Sequence, residues 1–382
     1  MFKNIKNNQM GGEFDVVIIG AGCAGLMSAQ LLARKNISVA LIDSKKDLLA
    51  LSFLTLGSFM NIKKYELSEK VIASHINKGS FYSKRFSVSK PGSNVAIIDK
   101  MQLHKELINK CTEHGVNIFT DSRITDATLG SDNIIEAIKD KHGNIYKGKI
   151  YIDASGTSGL LSKKLGLQET SFPLAVGLEY NASYTGDPHE VIFFIGPEYA
   201  GGYGWIFPLK NQRAIVGFGS FNPAIRCNLK QGLSAVIADN RVSHFIHIDN
   251  KTTYGGNIPI TAVNRTMHTG NLVCVGDSVS QVNPLVGEGY KFILDSSIMA
   301  VSAISAALTH NKLDLLKNYE VEWTATNHAH YSNSKMLQSL LARMHQYNWL
   351  TDIGLLFLKY KRAKTVTRII SGQFRKRDLL FP

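Results

Sequence analysis

Three glycine-bearing stretches hold the residue types that could do chemistry in this chain of 382 residues. In the first, Gly20-Ala21-Gly22-Cys23-Ala24-Gly25 has G-x-G-x-x-G spacing, and Asp43 follows further on with Ser44 and Lys45 directly after it. Glycines at this spacing let a backbone turn tightly and approach a pyrophosphate. A helix starting behind them offers free N–H groups and positive dipole, and an acid at the end of the next strand accepts ribose hydroxyls. The second stretch is Asp153-Ala154-Ser155-Gly156-Thr157-Ser158-Gly159. The third is Gly276-Asp277 with Asn283-Pro284-Leu285-Val286-Gly287-Glu288-Gly289 shortly after it.

The elements needed to position these residues are legible around them. Residues 14–19 are apolar and β-branched, as in a strand buried on both faces, and residues 26–35 place Leu26, Ala29, Leu32 and Ala33 on one helical stripe. Residues 37–42 return as a second apolar strand ending at Asp43. Strand, turn, helix, strand and acid in register predict dinucleotide binding, where an isolated glycine motif would not. A helix is expected from Asp99 to His114, then three β runs at 124–129, 133–138 and 145–152, a meander inserted into the dinucleotide fold. Residues 172–260 carry further β runs that suggest an antiparallel substrate lobe, and a buried strand at 272–275 leads through Gly276-Asp277 to an apolar helix at 289–308. The cofactor domain is therefore discontinuous: 1–60, 95–165 and 262–310, with 61–94 and 166–261 as substrate domain and 311–382 as a helical C-terminal region. Residues 48–60 fit neither period and receive no assignment.

Composition excludes several classes. Cys23, Cys111, Cys227 and Cys274 are scattered without ligand spacing, which argues against a zinc site or a disulfide framework; no metal is expected. The polar residues 1–12 do not form a signal peptide, no apolar run reaches the length of a membrane span, and a cytoplasmic location is expected. The net charge is +13, of which +8 lies in residues 335–382. There Trp349, Ile353, Leu356, Phe357 and Tyr360 form a helical stripe among Lys359, Lys361, Arg362, Lys364, Arg368, Arg375, Lys376 and Arg377. A basic amphipathic segment of this kind suits peripheral contact, through 349–382, with an anionic membrane at its inner face. No nucleic-acid motif accompanies the charge.

Taken in order and spacing, the three glycine stretches resemble the FAD-binding fingerprints of the para-hydroxybenzoate hydroxylase-like flavoproteins. Gly202-Tyr203-Gly204-Trp205-Ile206-Phe207-Pro208 looks like the Y-x-W-x-F-P motif of the geranylgeranyl reductase family, as do the Asn-Pro-Leu-x-Gly-Glu-Gly run and Tyr319-Glu320-x-x-Trp323. The resemblance covers most of residues 14–325. It implies an α/β fold with a Rossmann-like FAD/NAD(P)-binding domain, an antiparallel β-sheet substrate domain and a helical C-terminal region. It also implies that FAD is held by Gly20, Gly22, Cys23, Ala24, Gly25, Asp43, Ser44, Lys45, Asp153, Ala154, Gly156, Gly276, Asp277, Pro284, Gly287, Glu288 and Gly289. Asp277 would accept hydrogen bonds from ribitol hydroxyls, and the helix start after Gly289 would stabilise negative charge on reduced flavin. Tyr203 and Trp205 alternate with glycine, so on a strand they face one side, and with Phe207 they are candidates to wall a substrate channel.

The activity implied is reduction of carbon–carbon double bonds in a hydrophobic, isoprenoid-like substrate by hydride transfer from reduced FAD. A flavin monooxygenase or halogenase acting on an aromatic or polyketide substrate is the first rival, and a redox-neutral cyclase of the lycopene cyclase type the second. The reductases commonly carry Cys-Gly-Gly in the loop after the acid, where this chain has Leu56-Gly57-Ser58, so the resemblance names no proton donor. No second G-x-G-x-x-G is present; electrons would come from NAD(P)H docking transiently or from an electron-donor protein.

Overall fold

The computed structural model describes residues 5–6, 11–168, 174–199, 201–221, 228–250, 252–260 and 266–380; Cys227 lies outside the described residues. Two nine-stranded sheets organise them. Across the first, the strands run Ile5–Lys6, Asn117–Phe119, Val39–Ile42, Gly12–Ile19, Ile145–Asp153, Leu272–Cys274 and His268–Thr269. All neighbours are parallel except the last pair. Val39–Ile42 is wholly buried, as is the second half of Gly12–Ile19, which is why these strands read as continuous apolar runs rather than alternating ones. Helices Cys23–Ala33, Lys100–Glu113 and Tyr290–His310 pack with this sheet into one core containing Val17, Leu26, Leu41, Leu107, Ile152, Val273 and Ile304. The expected meander is present as Ile124–Leu129, Ile135–Asp140 and the first part of Ile145–Asp153.

Register explains why the three glycine stretches meet. Ile19 pairs with Ile42 on one side and Asp153 on the other, and Asp153 pairs with Cys274. Gly20, Asp43, Ala154 and Val275 therefore all leave the sheet along one line at the carboxyl ends of its strands, where open α/β sheets bind ligands.

The second sheet runs Ile246–His247, Leu174–Tyr184, Arg213–Ser220, Gly202–Leu209, Glu190–Phe194, Ile72–Tyr82, Ser87–Asp99 and Thr55–Ser58, with Thr253–Pro259 also paired to Leu174–Tyr184. It is antiparallel apart from the parallel pair Glu190–Phe194 with Ile72–Tyr82, so the expected antiparallel lobe is in fact mixed. Two boundaries shift. The unassigned loop contains the edge strand Thr55–Ser58, which belongs to the second sheet, and Ser87–Asp99 stays in that sheet as far as Asp99.

One expectation about membrane spans needs correction. Tyr290–His310 has a mean hydropathy of 1.7 and is long and apolar enough to cross a bilayer by length and composition. Its apolarity has another cause: it is a core helix packed between Cys23–Ala33 and the long helix Lys317–Met344, with more than half of its apolar window buried. The C-terminal region is helical as expected, with Asn348–Tyr360, Ala363–Ile370 and Arg377–Leu380 following Lys317–Met344.

Candidate active site

Where the strand ends converge, an open cleft of about 320 Å³ lies between the two sheets. The three glycines of the first turn divide its construction among them. Gly20 has φ 101°, and a Cβ there would stand 2.3 Å from the Ala154 carbonyl oxygen; a Cβ on Gly25 would stand 1.9 Å from the Gly20 carbonyl oxygen. These two allow the turn to close. Gly22 has nothing within 4 Å of the place a Cβ would take, and it borders the cleft. Its missing side chain leaves a cradle at the N-terminus of Cys23–Ala33, the position a pyrophosphate takes on such a turn. Asp43 braces the cradle: its carboxylate accepts the Ala21 N–H at 2.6 Å and the Lys45 N–H at 2.7 Å. Ser44 is exposed, and Lys45 borders the cleft while its Nζ donates to the Ala50 carbonyl at 2.8 Å. Cys23 and Ala24 are buried behind the turn, and desolvation pushes the Cys23 thiol up to about 12, so it packs and does not react.

Asp153 does something other than the resemblance implies. Its Oδ1 accepts the Ser155 N–H and hydroxyl, and its Oδ2 accepts the N–H groups of Leu161 and Ser162 at 2.8 and 2.7 Å. The carboxylate is spent on the first N–H groups of the short helix Leu160–Lys164, so it orders the second glycine stretch from behind and is not available to a cofactor. Ala154 and Gly156 likewise shape the turn without bordering the cleft.

The third stretch supplies the polar floor. Gly276 takes φ 73° and lets Asp277 turn into the cleft, where the Asp277 Oδ1 is buried without a hydrogen-bond partner among the described residues. Desolvation raises its carboxyl to about 6, against the pull of the Lys100 ammonium. An orphaned buried acceptor in a cleft calls for a donor from outside the chain, and a polyhydroxyl chain provides one. The loop is fixed by the Tyr319 motif, because Gln281 Oε1 accepts the Gly276 N–H and Gln281 Nε2 donates to the Tyr319 hydroxyl, both at 2.6 Å. Glu320 accepts the Met267 N–H at 2.7 Å and steadies the adjoining strand. Gly287, Glu288 and Gly289 border the cleft at the start of Tyr290–His310, while Pro284 sits behind them, its carbonyl accepting from Gln338 Nε2.

Two charged residues of the cleft escaped the sequence reading. Lys100, the first residue of Lys100–Glu113, faces Asp277 and the rings of Phe53 and Tyr290, and desolvation lowers its ammonium to about 8. Glu179, on the second sheet, accepts the Leu54 N–H at 3.2 Å, and burial raises its carboxyl to about 7. A signal for Lys100 existed: a cation at a helix N-terminus opposes the macrodipole and so needs a reason. Glu179 had none, since one acid in a β run is unremarkable.

Tyr203, Trp205 and Phe207 project from one face of Gly202–Leu209 and line the cleft together. Trp205 is buried and stacks with Phe207 at 6.0 Å, and Tyr203 stacks on Phe221 at 4.8 Å while its hydroxyl donates to the Val286 carbonyl at 2.6 Å. Behind them lies a second, narrow cavity of about 90 Å³, lined almost wholly by apolar residues including Phe59, Ile76, Phe81, Val95, Val191, Phe193, Val366 and Ile370. Gly57, Tyr203, Phe207, Val286 and Glu288 border both spaces.

A dinucleotide cradle, an unpaired acid for hydroxyl groups and an adjoining apolar chamber define an FAD-binding oxidoreductase of para-hydroxybenzoate hydroxylase-like fold. The chain belongs to the FAD binding domain family, FAD_binding_3, which matches residues 13–334. It is similar to the digeranylgeranylglycerophospholipid reductase 1 of Methanosphaera stadtmanae, 28% identical over 384 residues that cover 96% of this chain and 91% of the relative. A crystal structure of a geranylgeranyl bacteriochlorophyll reductase-like protein from Thermoplasma acidophilum shares the fold at a TM-score of 0.84, with 17% identity, covering 96% of this chain and 95% of the other. The flavin-dependent brominase Bmp2 shares it at 0.70, with 15% identity and 94% coverage of each chain.

Proposed function

We propose that the protein reduces carbon–carbon double bonds of an isoprenoid-chain lipid. The observation that carries this reading is the apolar chamber set directly against the dinucleotide cleft, with Gly57, Tyr203 and Phe207 as the shared wall. A polar substrate would leave such a chamber without complementary groups, whereas part of an apolar chain matches its lining. The names of the similar reductases point the same way. Gly22 would admit the pyrophosphate, Asp277 would accept ribitol hydroxyls and Lys100 would balance negative charge. Bound FAD would supply hydride, with electrons drawn from NAD(P)H or from an electron-donor protein.

The C-terminal helices suit a substrate drawn from a membrane. Ala363–Ile370 contributes Val366, Thr367 and Ile370 to the chamber wall. Beside it, Asn348–Tyr360 buries only Thr351 and Leu355 and turns Trp349 (60% exposed), Ile353, Leu356, Phe357 and Tyr360 (69%) outward, next to the exposed bases Lys359, Arg362 and Lys364. Lys361 is not part of that surface; it is buried with its ammonium over the Phe357 ring. An apolar helix face rimmed by cations fits the surface of an anionic bilayer.

The test is anaerobic. Enzyme with reduced FAD mixed with geranylgeraniol should return its flavin to the oxidised spectrum and yield a product heavier by two hydrogens for each bond reduced. A product of unchanged mass would favour the cyclase reading, and turnover only with oxygen the monooxygenase or halogenase reading.

A further inference from the structure

Adding hydrogen across an alkene takes a hydride at one carbon and a proton at the other, and the second requirement puts a demand on the chamber wall. Among the described residues, three titratable side chains line the chamber: Lys90, Tyr203 and Glu288. Lys90 is held away, its Nζ donating to the carbonyl oxygens of Lys359 and Lys361 at 2.6 and 2.7 Å. The Tyr203 hydroxyl proton is committed to the Val286 carbonyl, and burial pushes the phenol well up. Glu288 remains, at the seam where chamber and dinucleotide cleft meet.

Its two oxygens are unlike each other. Oε1 accepts the Ser58 hydroxyl at 2.6 Å and the Phe59 N–H at 3.1 Å. Oε2 is buried and has no hydrogen-bond partner among the described residues. A carboxylate there would leave half its charge unsolvated, so the proton belongs on Oε2, with Oε1 kept as the acceptor. The other groups facing it do not reverse this. Lys291 favours the charged form, but Tyr65 and Tyr331 are neutral phenols pushed further up by burial and by Glu288 itself, and desolvation leaves the Glu288 carboxyl above its ordinary range.

Resting on the reductase reading, we propose that Glu288 is the proton donor of the reaction and Ser58 the residue that fixes which oxygen carries the proton. As the π bond is consumed, one alkene carbon accepts hydride from reduced FAD and the other accepts the proton from Glu288 Oε2. Two C–H bonds form; the π bond, the bond that held the hydride on the reduced flavin and the carboxyl O–H bond break; the flavin loses two electrons, and the carboxylate regains its proton from solvent. Glu288, its Oε1 held by the buried Ser58, stands in the wall shared by chamber and cleft.

The experiment compares wild type, Glu288→Gln and Ser58→Ala as FAD-loaded proteins. Glu288→Gln keeps an acceptor oxygen for Ser58 and Phe59, so it should retain FAD and its anaerobic photoreduction, while single-turnover reoxidation by geranylgeraniol slows at least about 100-fold. Infrared difference spectra at neutral pH should show a protonated carboxyl band in wild type that Glu288→Gln lacks. Ser58→Ala removes a hydrogen bond that favours the carboxylate, so the alkaline limb of its reoxidation rate should move to higher pH, which loss of packing alone would not do. Reoxidation of Glu288→Gln within about threefold of wild type, or an unchanged carboxyl band, overturns the proposal while leaving the reductase reading intact. Failure of wild type itself to be reoxidised by the lipid overturns both.

Discussion

Gly22 and Gly25 belong to one motif and should fail in opposite ways when a side chain is added. Gly22 has φ −73°, a conformation open to any residue, and nothing within 4 Å of its would-be Cβ. As the N-cap of Cys23–Ala33 it makes no side-chain bond, so replacement by Val should cost the apoprotein no more than about 1 kcal/mol. The added atoms would stand in the cradle, and FAD affinity should fall at least about 100-fold, or about 2.8 kcal/mol. Gly25→Ala sets a methyl 1.9 Å from the Gly20 carbonyl oxygen, a backbone atom that can yield only if the whole turn moves. Overpacking of this kind costs about 1–3 kcal/mol, against a total stability of about 5–15 kcal/mol. Urea unfolding of the two apoproteins and titration of each with FAD by flavin fluorescence separate the effects. The reasoning is refuted if Gly22→Val binds FAD as wild type does, or if it loses as much apoprotein stability as Gly25→Ala.

Trp205→Phe keeps most of the apolar volume and should spare folding and FAD content while changing turnover or the range of prenyl lipids accepted; a loss of several degrees in Tm with unchanged kinetics would assign Trp205 to packing alone. The Glu179 carboxyl rises from 4.5 to about 7 on folding, so the folded apoprotein binds more protons than the unfolded chain between those values, and stability falls as pH rises through that window. At 1.36 kcal/mol per unit the loss is at most about 3.4 kcal/mol, so on going from pH 5 to 7.5 the urea midpoint of Glu179→Gln should move upward relative to that of wild type. The slope left in the variant comes from Asp277 and Glu288, raised in the same direction, and from His104 and His345, which burial lowers and which so act in the opposite sense. Wild-type protein should co-sediment with phosphatidylglycerol vesicles, less so as salt is added and hardly at all once Trp349, Phe357 and Tyr360 are replaced by serine; equal binding by that variant removes the membrane reading. Point replacements serve better than truncation, because Val366 and Ile370 wall the chamber and Phe374 is fully buried.

The parts of the fold that could be read in advance are those whose physics is local. Buried parallel strands show as apolar runs, and Asp99 announces the helix it caps by accepting the Gln102 N–H group. The long hairpin of Ile72–Tyr82 and Ser87–Asp99 gave no such signal. Its strands mix His, Asn, Lys, Ser and Gly with a few apolar residues because much of each faces outward, and its register is interrupted twice. Lys317–Met344 falls in the region expected to be helical, but its own bounds were not legible, because over 28 residues it buries only a sparse set such as Tyr319, Trp323, Tyr331 and Leu337.

The same division runs through the site. Gly20, Gly22, Gly25 and Asp277 could be named because the turn that needs them is written in a few consecutive residues. Asp153 stood in an equally suggestive turn, yet its four hydrogen bonds run to neighbours within nine residues, a local use of a carboxylate that the motif does not distinguish from cofactor binding. Glu288 is the opposite case. Its character comes from Ser58, 230 residues away, and from a chamber whose walls are drawn from Thr55–Ser58, Ile72–Tyr82, Ser87–Asp99, Glu190–Phe194, Gly202–Leu209 and Ala363–Ile370. No period or spacing encodes such a contact, because it is fixed only when both sheets and the C-terminal helices have closed around it. Residues proposed to hold the cofactor are thus legible from sequence to the extent that their work is done by backbone, while the residue proposed to move a proton depends on desolvation, which belongs to the assembled fold.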